Sequence, residues 1–225
     1  KTNEIKILFN NIHPSHLLHF AWDVTPGQYV NSVNNLYWLD ATLHLVNEFI
    51  QSDGKRVICS GTCFEYDLRY GYCSENLTPI RPATFYGLCK ANAFTTINEL
   101  AKLMDFDFVW GRIFYPYGPF EYPTRLVPYI INSFIKNQKV KLTHGNQIRD
   151  YIYVADVADA FVKLVDSKIN GPINIGSGKP ISIRELVYLI GSFFGEEKCI
   201  EFGAISTEKN DPPFIVANID RLKSE

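Results

Sequence analysis

The alternation of apolar and polar positions divides the chain into helices and strands that take turns. NEIKILFNNI, near the start, carries apolar residues at helical spacing, and Pro14 ends it. His16 to Trp22 (HLLHFAW) is a short apolar run of the kind that forms a buried strand. VTPGQY reads as a loop, and Asn34 to Ile50 as a helix closed by the turn SDGK. Arg56 to Thr62 (RVICSGT) is a second buried strand. EYDLRYGYCSENLTPIRP follows without a clear period, at a length where a loop usually has a function. Pro82 then precedes a helix from about Ala83 to Met104, and DFVWGRIF is a third strand. Strands alternating with helices in this way predict an α/β fold with a parallel, doubly wound sheet.

The second half changes character. YPYGPFEYPTR is rich in proline, aromatics and glycine, which puts a boundary between lobes near Tyr115 to Arg125. TRLVPYIINSFIKNQ looks helical, with Pro128 near its start. VKLTHG and RDYIYV read as short strands, VADVADAFVKLVDS as a helix, and GPINIGSG as a strand and turn. SIRELVYLIGSFFG is an amphipathic helix; Ser182 and Glu185 make a capping box at its start. There is no internal repeat and no low-complexity tract.

Composition narrows the class. The chain has 225 residues, 46% hydrophobic and 20% charged, an ordinary balance for a soluble globular enzyme. Its net charge of −2 gives no reason to expect a nucleic-acid or membrane-surface partner. No apolar run approaches the roughly 18 residues of a membrane span. The opening KTNEIKILFNN lacks the ordered parts of a secretory signal, so a cytoplasmic location is expected. Cys59, Cys63, Cys73, Cys89 and Cys199 form no C-x-x-C pair and read as reduced thiols. The five histidines do not fall at ligand spacing from them, so no metal is expected. Lys1 is not an initiator methionine and no strand precedes the first helix; the chain is expected to begin inside a longer protein.

Candidate chemistry centres on Tyr86 and Lys90, one helical turn apart and so on one face. This is either a solvated helix face or a tyrosine whose ionisation a neighbouring cation favours. Thr62 ends a buried strand, where open α/β sheets place their ligand crevice; otherwise it is a turn hydroxyl bonding its own backbone. Arg149 is suited to a diphosphate, or to a salt bridge with its neighbour Asp150. Gly176-Ser177-Gly178 reads as a structural turn rather than a phosphate loop. His19 reads as a satisfied core residue, and Tyr115 and Tyr117 either stack on a base or pack.

A strand-end hydroxyl, a proline-bounded loop and Tyr-x-x-x-Lys on the next helix closely resemble the short-chain dehydrogenase/reductase superfamily. More closely, they resemble its extended branch of nucleotide-sugar epimerases, dehydratases and ketoreductases. HLLHFAW resembles that branch's fourth strand, and Asn35 heads the next helix where the family keeps an asparagine. GRIFYPYGP is similar to its Arg-x-x-Asn-x-Tyr-Gly-Pro stretch. HGNQIRDYIYVADVADAF and GPINIGSGKPISIREL resemble two later signatures, in family order, over nearly all of residues 12 to 222.

The resemblance implies a Rossmann-like doubly wound sheet whose first strands are missing, with a smaller C-terminal substrate-binding lobe. Residues 1–115 would be a partial NAD(P)-binding domain. Residues 116–225 would be mainly the substrate lobe, with some segments returning to the first domain. It implies NAD or NADP as cofactor and a nucleotide sugar as substrate, with hydride transfer at C4 by a 4-epimerase or 4-ketoreductase of surface-polysaccharide or deoxysugar biosynthesis. Thr62, Tyr86 and Lys90 would carry the chemistry: Tyr86 exchanging the proton, Thr62 orienting the same oxygen, Lys90 binding the nicotinamide ribose and lowering the phenol's pKa. Phe20, Ala21, Trp22, Asn35, Ser60, Tyr86, Lys90 and Phe114 would meet the cofactor, with Asp23 beside the same pocket. Tyr115, Arg125 and Arg149 would meet the substrate. A homodimer through helices 34–50 and 83–104 is implied too, whose apolar residues run around much of their circumference. The rival reading is a non-catalytic dinucleotide sensor or scaffold of the same fold.

Three departures qualify the resemblance. No segment supplies the G-x-x-G-x-x-G fingerprint or the residue that selects NAD or NADP. The Asp-Glu pair that the family's 4,6-dehydratases carry after the threonine is Cys63-Phe64 here, which ranks a dehydratase low; Glu65, one place later, would face the other way on a strand. Tyr115 stands for the asparagine of the Arg-x-x-Asn stretch, and Glu208-Lys-Asn-Asp211 for a later Arg-x-Gly-Asp.

Overall fold

The computed structural model of the chain describes residues 2–195, 199–207 and 209–225. Helix α1 (Thr2–Ile12) leads into strand β1 (His16–His19), helix α2 (Asn34–Gln51) and strand β2 (Arg56–Thr62). Two short 3-10 turns, Cys63–Glu65 and Leu68–Tyr70, precede β3 (Tyr72–Cys73), α3 (Phe85–Met104), β4 (Asp107–Ile113) and β5 (Tyr115–Tyr117). Then come α4 (Leu126–Ile135), β6 (Val140–Leu142), β7 (Ile148–Tyr153), α5 (Val154–Asp166) and β8 (Gly171–Ile175). The chain closes with β9 (Pro180–Ser182), α6 (Ile183–Ser192), β10 (Ile200–Phe202), β11 (Phe214–Ala217) and α7 (Asp220–Ser224).

The first sheet has the order β1-β2-β4-β8 and is parallel throughout. Period-two alternation decides what each face buries. Val57 and Cys59 of β2 and Phe108 and Trp110 of β4 face one side, where Val46 and Phe49 of α2 and Ala93 and Ile97 of α3 pack on them. Ile58 and Val109 face the other side, with Ile173 and Ile175 of β8, against Val157, Phe161 and Leu164 of α5. Helices therefore cover both faces, as the alternating pattern predicts.

The predicted strand His16–Trp22 is shorter than expected: His16–His19 is strand and pairs in parallel with β2. His19 is a satisfied residue: its Nε2 lies 3.0 Å from the Thr42 hydroxyl. Burial first, and then the charge of Lys90, push its pKa down to about 4. Between the ordinary histidine value and about 4, the unfolded chain takes up a proton that the folded chain refuses. Stability should therefore fall as pH drops through that window. Urea midpoints measured at pH 7 and pH 4.5 should differ more for the parent than for His19→Gln; equal differences would refute the assignment.

A second sheet, β3-β11-β7-β5 with β9 antiparallel to β7, joins the irregular stretch after β2 to the C-terminal segments. The expected lobe boundary is thus crossed in both directions: β3 goes to the second sheet, and β8 returns to the first. β6 and β10 pair beside α4 and α6 over a separate core of Ile130, Phe134, Val140, Leu142 and Val187. The Ser182–Glu185 capping box forms, and Pro128 sits in the first turn of α4, where its missing N–H costs nothing. Among the described residues no helix is long and apolar enough to cross a membrane.

Candidate active site

The carboxyl ends of β1, β2 and β4 open into one cleft of about 2220 Å³. Phe20 and Trp22 follow β1, Ser60 and Thr62 end β2, and Phe114 follows β4; all line it. Tyr86 and Lys90 enter from the start of α3, and Tyr115, Arg125 and Arg149 come from the second half. Thus every predicted site residue except Ala21 and Asn35 lines the same cleft, and Asp23, expected beside it, does not.

Thr62 is held by the turn that follows it. Its Oγ1 accepts the Phe64 N–H at 3.3 Å, and its own N–H donates to Glu65 Oε1 at 2.8 Å, a reciprocal capping box. With Oγ1 accepting there, the hydroxyl proton is left to be donated. Tyr86 is buried against Tyr29 (ring centroids 4.9 Å) and Trp22 (6.2 Å), and its N–H donates to Val30 O at 2.9 Å. Burial and then Tyr29 push the phenol's pKa up, while a hydrogen bond with Thr62 opposes them. Lys90 is 3% exposed. Its Nζ donates to Ser60 O at 2.8 Å and lies 4.1 Å from the Trp22 ring centroid. Burial pulls its pKa down to about 8; Glu65 and then Cys59 work against that.

This corrects one expectation. Lys90 does not bring the phenol down: the Tyr86 pKa is raised, because burial outweighs the single opposing hydrogen bond. The ammonium is engaged by the Ser60 carbonyl and the Trp22 face instead.

Asn35 acts on the loop between β1 and α2. Its Oδ1 accepts the Trp22 indole N–H at 2.8 Å, and its Nδ2 donates to Tyr29 O (2.6 Å) and Ser32 O (2.9 Å). Both amide protons are spent on protein, so Asn35 shapes the pocket through Trp22 and Tyr29. Phe20 is 46% exposed and packs edge-on to Phe161 at 4.7 Å; Ala21 is exposed. Asp23 is exposed and bonds Thr25. Phe114 is buried, with its N–H on Ile175 O at 3.0 Å.

Arg149 does not pair with Asp150. Neighbouring residues of a strand point to opposite faces. Arg149 Nη2 donates to Asp211 Oδ1 at 2.6 Å and Nη1 to Ile148 O at 2.9 Å, and its guanidinium stands 5.7 Å from the Tyr115 ring. Asp150 faces inward and accepts from Ser177 N (2.7 Å), Ser177 Oγ (2.6 Å), Gly178 N (3.0 Å) and Ala217 N (3.1 Å). Gly176-Ser177-Gly178 is therefore a structural turn, as read. Gly178 has φ +66°, where a side chain would be strained. Tyr115 packs on Phe64 and Tyr151, and Tyr117 on Tyr151 and Tyr153. Arg125 stands 5.7 Å from the Tyr29 ring. Asp211 gains its role through Arg149, whereas Glu208 lies outside the described residues.

The sequence reading missed Glu65. It does not continue β2 but lies in the 3-10 turn, 0% exposed, so strand alternation does not apply to it. The signal was present: Thr62-x-x-Glu65 is the same capping pattern as Ser182-x-x-Glu185.

Comparison with known proteins supplies the family. The chain is 37% identical over 131 residues to the CDP-abequose synthase of Salmonella typhimurium, a match covering 55% of this chain and 44% of that protein. It is 28% identical over 195 residues to the dTDP-D-glucose 4,6-dehydratase of Mus musculus, covering 83% of this chain and 55% of the relative. The fold superimposes on a UDP-glucose 4-epimerase from Thermotoga maritima with a TM-score of 0.86 at 19% identity, over 99% of this chain and 74% of that one. The matches with these two relatives thus span about half of their length. The sequence model described as the NAD dependent epimerase/dehydratase family matches residues 1–176, and the chain belongs to that family.

Proposed function

We propose that the chain carries the catalytic residues of an NAD(P)-dependent enzyme that transfers hydride at C4 of a nucleotide-activated hexose, as a 4-epimerase or a 4-ketoreductase. The observation that carries this reading is the meeting of Thr62, Tyr86 and Lys90 at the carboxyl end of the parallel sheet, inside one cleft.

The residues present fit the nicotinamide end of a dinucleotide. Among the described residues Lys90 Nζ spends one of its three N–H groups, on Ser60 O, which leaves donors for ribose hydroxyls. Trp22 and Phe114 offer apolar walls. When bound, the nicotinamide supplies or accepts the hydride. Tyr86, as the neutral phenol, gives its proton to the C4 oxygen of a keto sugar; in the opposite direction its ionised form would take one from the C4 hydroxyl. Thr62 donates to the same oxygen and orients it. Trp22, Tyr29 and Tyr86 pack together and keep water from the phenol. Arg149, held by Asp211, is the residue that meets the diphosphate in this reading, since a guanidinium makes charge-assisted bonds to phosphate.

The turn after Thr62 speaks against water elimination. Burial pushes the Cys63 thiol up, Phe64 has no titratable group, and both Glu65 oxygens are engaged inside the protein. A homodimer fits the outward faces of α2 and α3, which expose Leu36, Tyr37, Leu88 and Leu103. A single-chain mass by light scattering at micromolar concentration would contradict it.

The reading is tested on the protein at its natural length. It is mixed with NADPH or NADH and a panel of 4-keto-6-deoxy sugar nucleotides, and reduced-nicotinamide absorbance is followed. Stoichiometric loss identifies a ketoreductase. No loss, but interconversion of a 4-hydroxyl sugar nucleotide, identifies an epimerase. Bound cofactor with neither reaction would replace this proposal with the sensor reading.

A further inference from the structure

Beneath the cleft lies a charged network that the proposed reaction does not use directly. Glu65 and Arg112 form an ion pair at 2.7 Å with side chains 0% and 1% exposed. Glu65 Oε1 accepts from Thr62 N and Trp110 Nε1, both at 2.8 Å, and Oε2 accepts from Arg112 Nε. Arg112 Nη1 donates to Tyr66 Oη at 3.0 Å, and Tyr66 donates to Asn174 Oδ1 at 2.7 Å. Arg112 Nη2 is buried and has no partner among the described residues. A buried pair of this kind costs several kcal/mol per ion in desolvation and is weak grounds for stability. An apolar pair of similar volume would fill the space as well.

Two contacts lead from Glu65 to the catalytic residues. One is the Thr62 N–H. The other runs through Trp110, whose ring centroid is 5.7 Å from Lys90 Nζ and whose N–H is held by Glu65. Gly61 keeps this approach open: a Cβ there would lie 2.1 Å from Trp110 Nε1 and 2.7 Å from Glu65 Oε1. We propose that Glu65 is a positioning residue of the active site, fixing Thr62 through its main chain and supplying the negative charge that faces the Lys90 ammonium.

This inference rests on the reading of Thr62 and Lys90 as catalytic. Other titratable or charged groups also act on these positions. Lys90 meets Cys59 of β2 and His19 of β1, and Tyr86 shares its helix. Glu65 meets Arg112 of β4, Cys63 and Tyr66 of its own turn region, and Tyr86. Glu65 nevertheless has the largest upward influence on Lys90, ahead of Cys59.

The test is NMR titration of the Lys90 side chain in ¹⁵N-lysine-labelled protein, with the signal assigned by its loss in Lys90→Met. Three variants are compared. Glu65→Gln removes the charge, Glu65→Gln with Arg112→Met removes the whole pair and spares the fold an unpaired arginine, and Glu65→Asp keeps the charge. In the two neutral variants the Lys90 midpoint should fall by roughly half a unit or more below that of the parent; Glu65→Asp should stay near it. In active enzyme, the alkaline limb of kcat should move down in step, with KM nearly unchanged. A folded neutral variant whose Lys90 midpoint does not move overturns the proposal. Loss of the fold in both neutral variants would make Glu65 a structural residue and overturn it equally. If no sugar nucleotide is turned over, the proposed function fails while the titration still decides the Glu65–Lys90 coupling.

Discussion

Tyr86→Phe is expected to lower turnover of the sugar nucleotide by about 10²–10⁴, the usual contribution of a positioned acid or base. KM should stay within a few-fold, because the ring that fills the pocket is retained. The substitution removes one oxygen. Packing of the ring on Tyr29 and Trp22 survives, and so does the Tyr86 N–H bond to Val30 O. Thr62 and Lys90 keep their own anchors, on Phe64, Glu65 and Ser60. The loss should therefore appear in kcat and not in the melting temperature. It should also leave cofactor binding, read by quenching of tryptophan fluorescence, within about twofold, since Lys90 and Trp22 remain. Turnover within threefold of the parent would remove Tyr86 from the mechanism.

Asp150→Ala is expected to cost about 3–5 kcal/mol of stability, which is roughly 6–20 °C in Tm for a chain of this size. Asp150 has no exposed surface, and its two oxygens collect four donors from two segments distant in sequence. Removing the carboxylate leaves the N–H groups of Ser177, Gly178 and Ala217 buried without their partner. Asp150→Asn keeps the shape but retains only one accepting oxygen, so its loss should be intermediate. Thermal melts of the three proteins decide the matter. A drop under 2 °C for the alanine variant would mean that water or neighbouring groups replace the carboxylate. Because β11 is pinned by Asp150 and pairs with β7 beside Arg149, the alanine variant should also weaken sugar-nucleotide binding.

Legibility followed the length of each element. α2, α3 and α5, with 18, 20 and 13 residues, were readable because a helix of roughly three and a half to five and a half turns repeats its apolar face several times. β2 and β4 were readable from their apolar centres, Val57 to Cys59 and Phe108 to Trp110, consecutive because both faces of the sheet are covered. β3, β5, β9, β10 and β11 have two to four residues each, too few to show a period. Each exists because a partner from elsewhere in the chain completes its hydrogen bonds, as Tyr72 and Cys73 do with Val216 and Ala217.

The candidate site divides in the same way. Thr62, Tyr86 and Lys90 were visible by type, spacing and resemblance, and the fold brings all three to one cleft. Their electrostatics were not visible. The phenol of Tyr86 rises where the spacing of Tyr86 and Lys90 suggested it would fall, because ionisation depends on burial, which local spacing does not reveal.

By itself, then, the order of residues determined where the longer helices and strands would lie and that they would alternate, properties that periodicity settles within a few turns of chain. That Thr62, Tyr86 and Lys90 would meet at the carboxyl end of the sheet was implied by the family resemblance, not by periodicity. Tertiary structure alone decided the partners of buried charges. Arg149 pairs with Asp211 and not Asp150, and Glu65 turns inward to Arg112, Trp110 and Thr62. A charge withdrawn from water must find a counter-group in three dimensions, and strand alternation makes the next residue along the chain a poor choice.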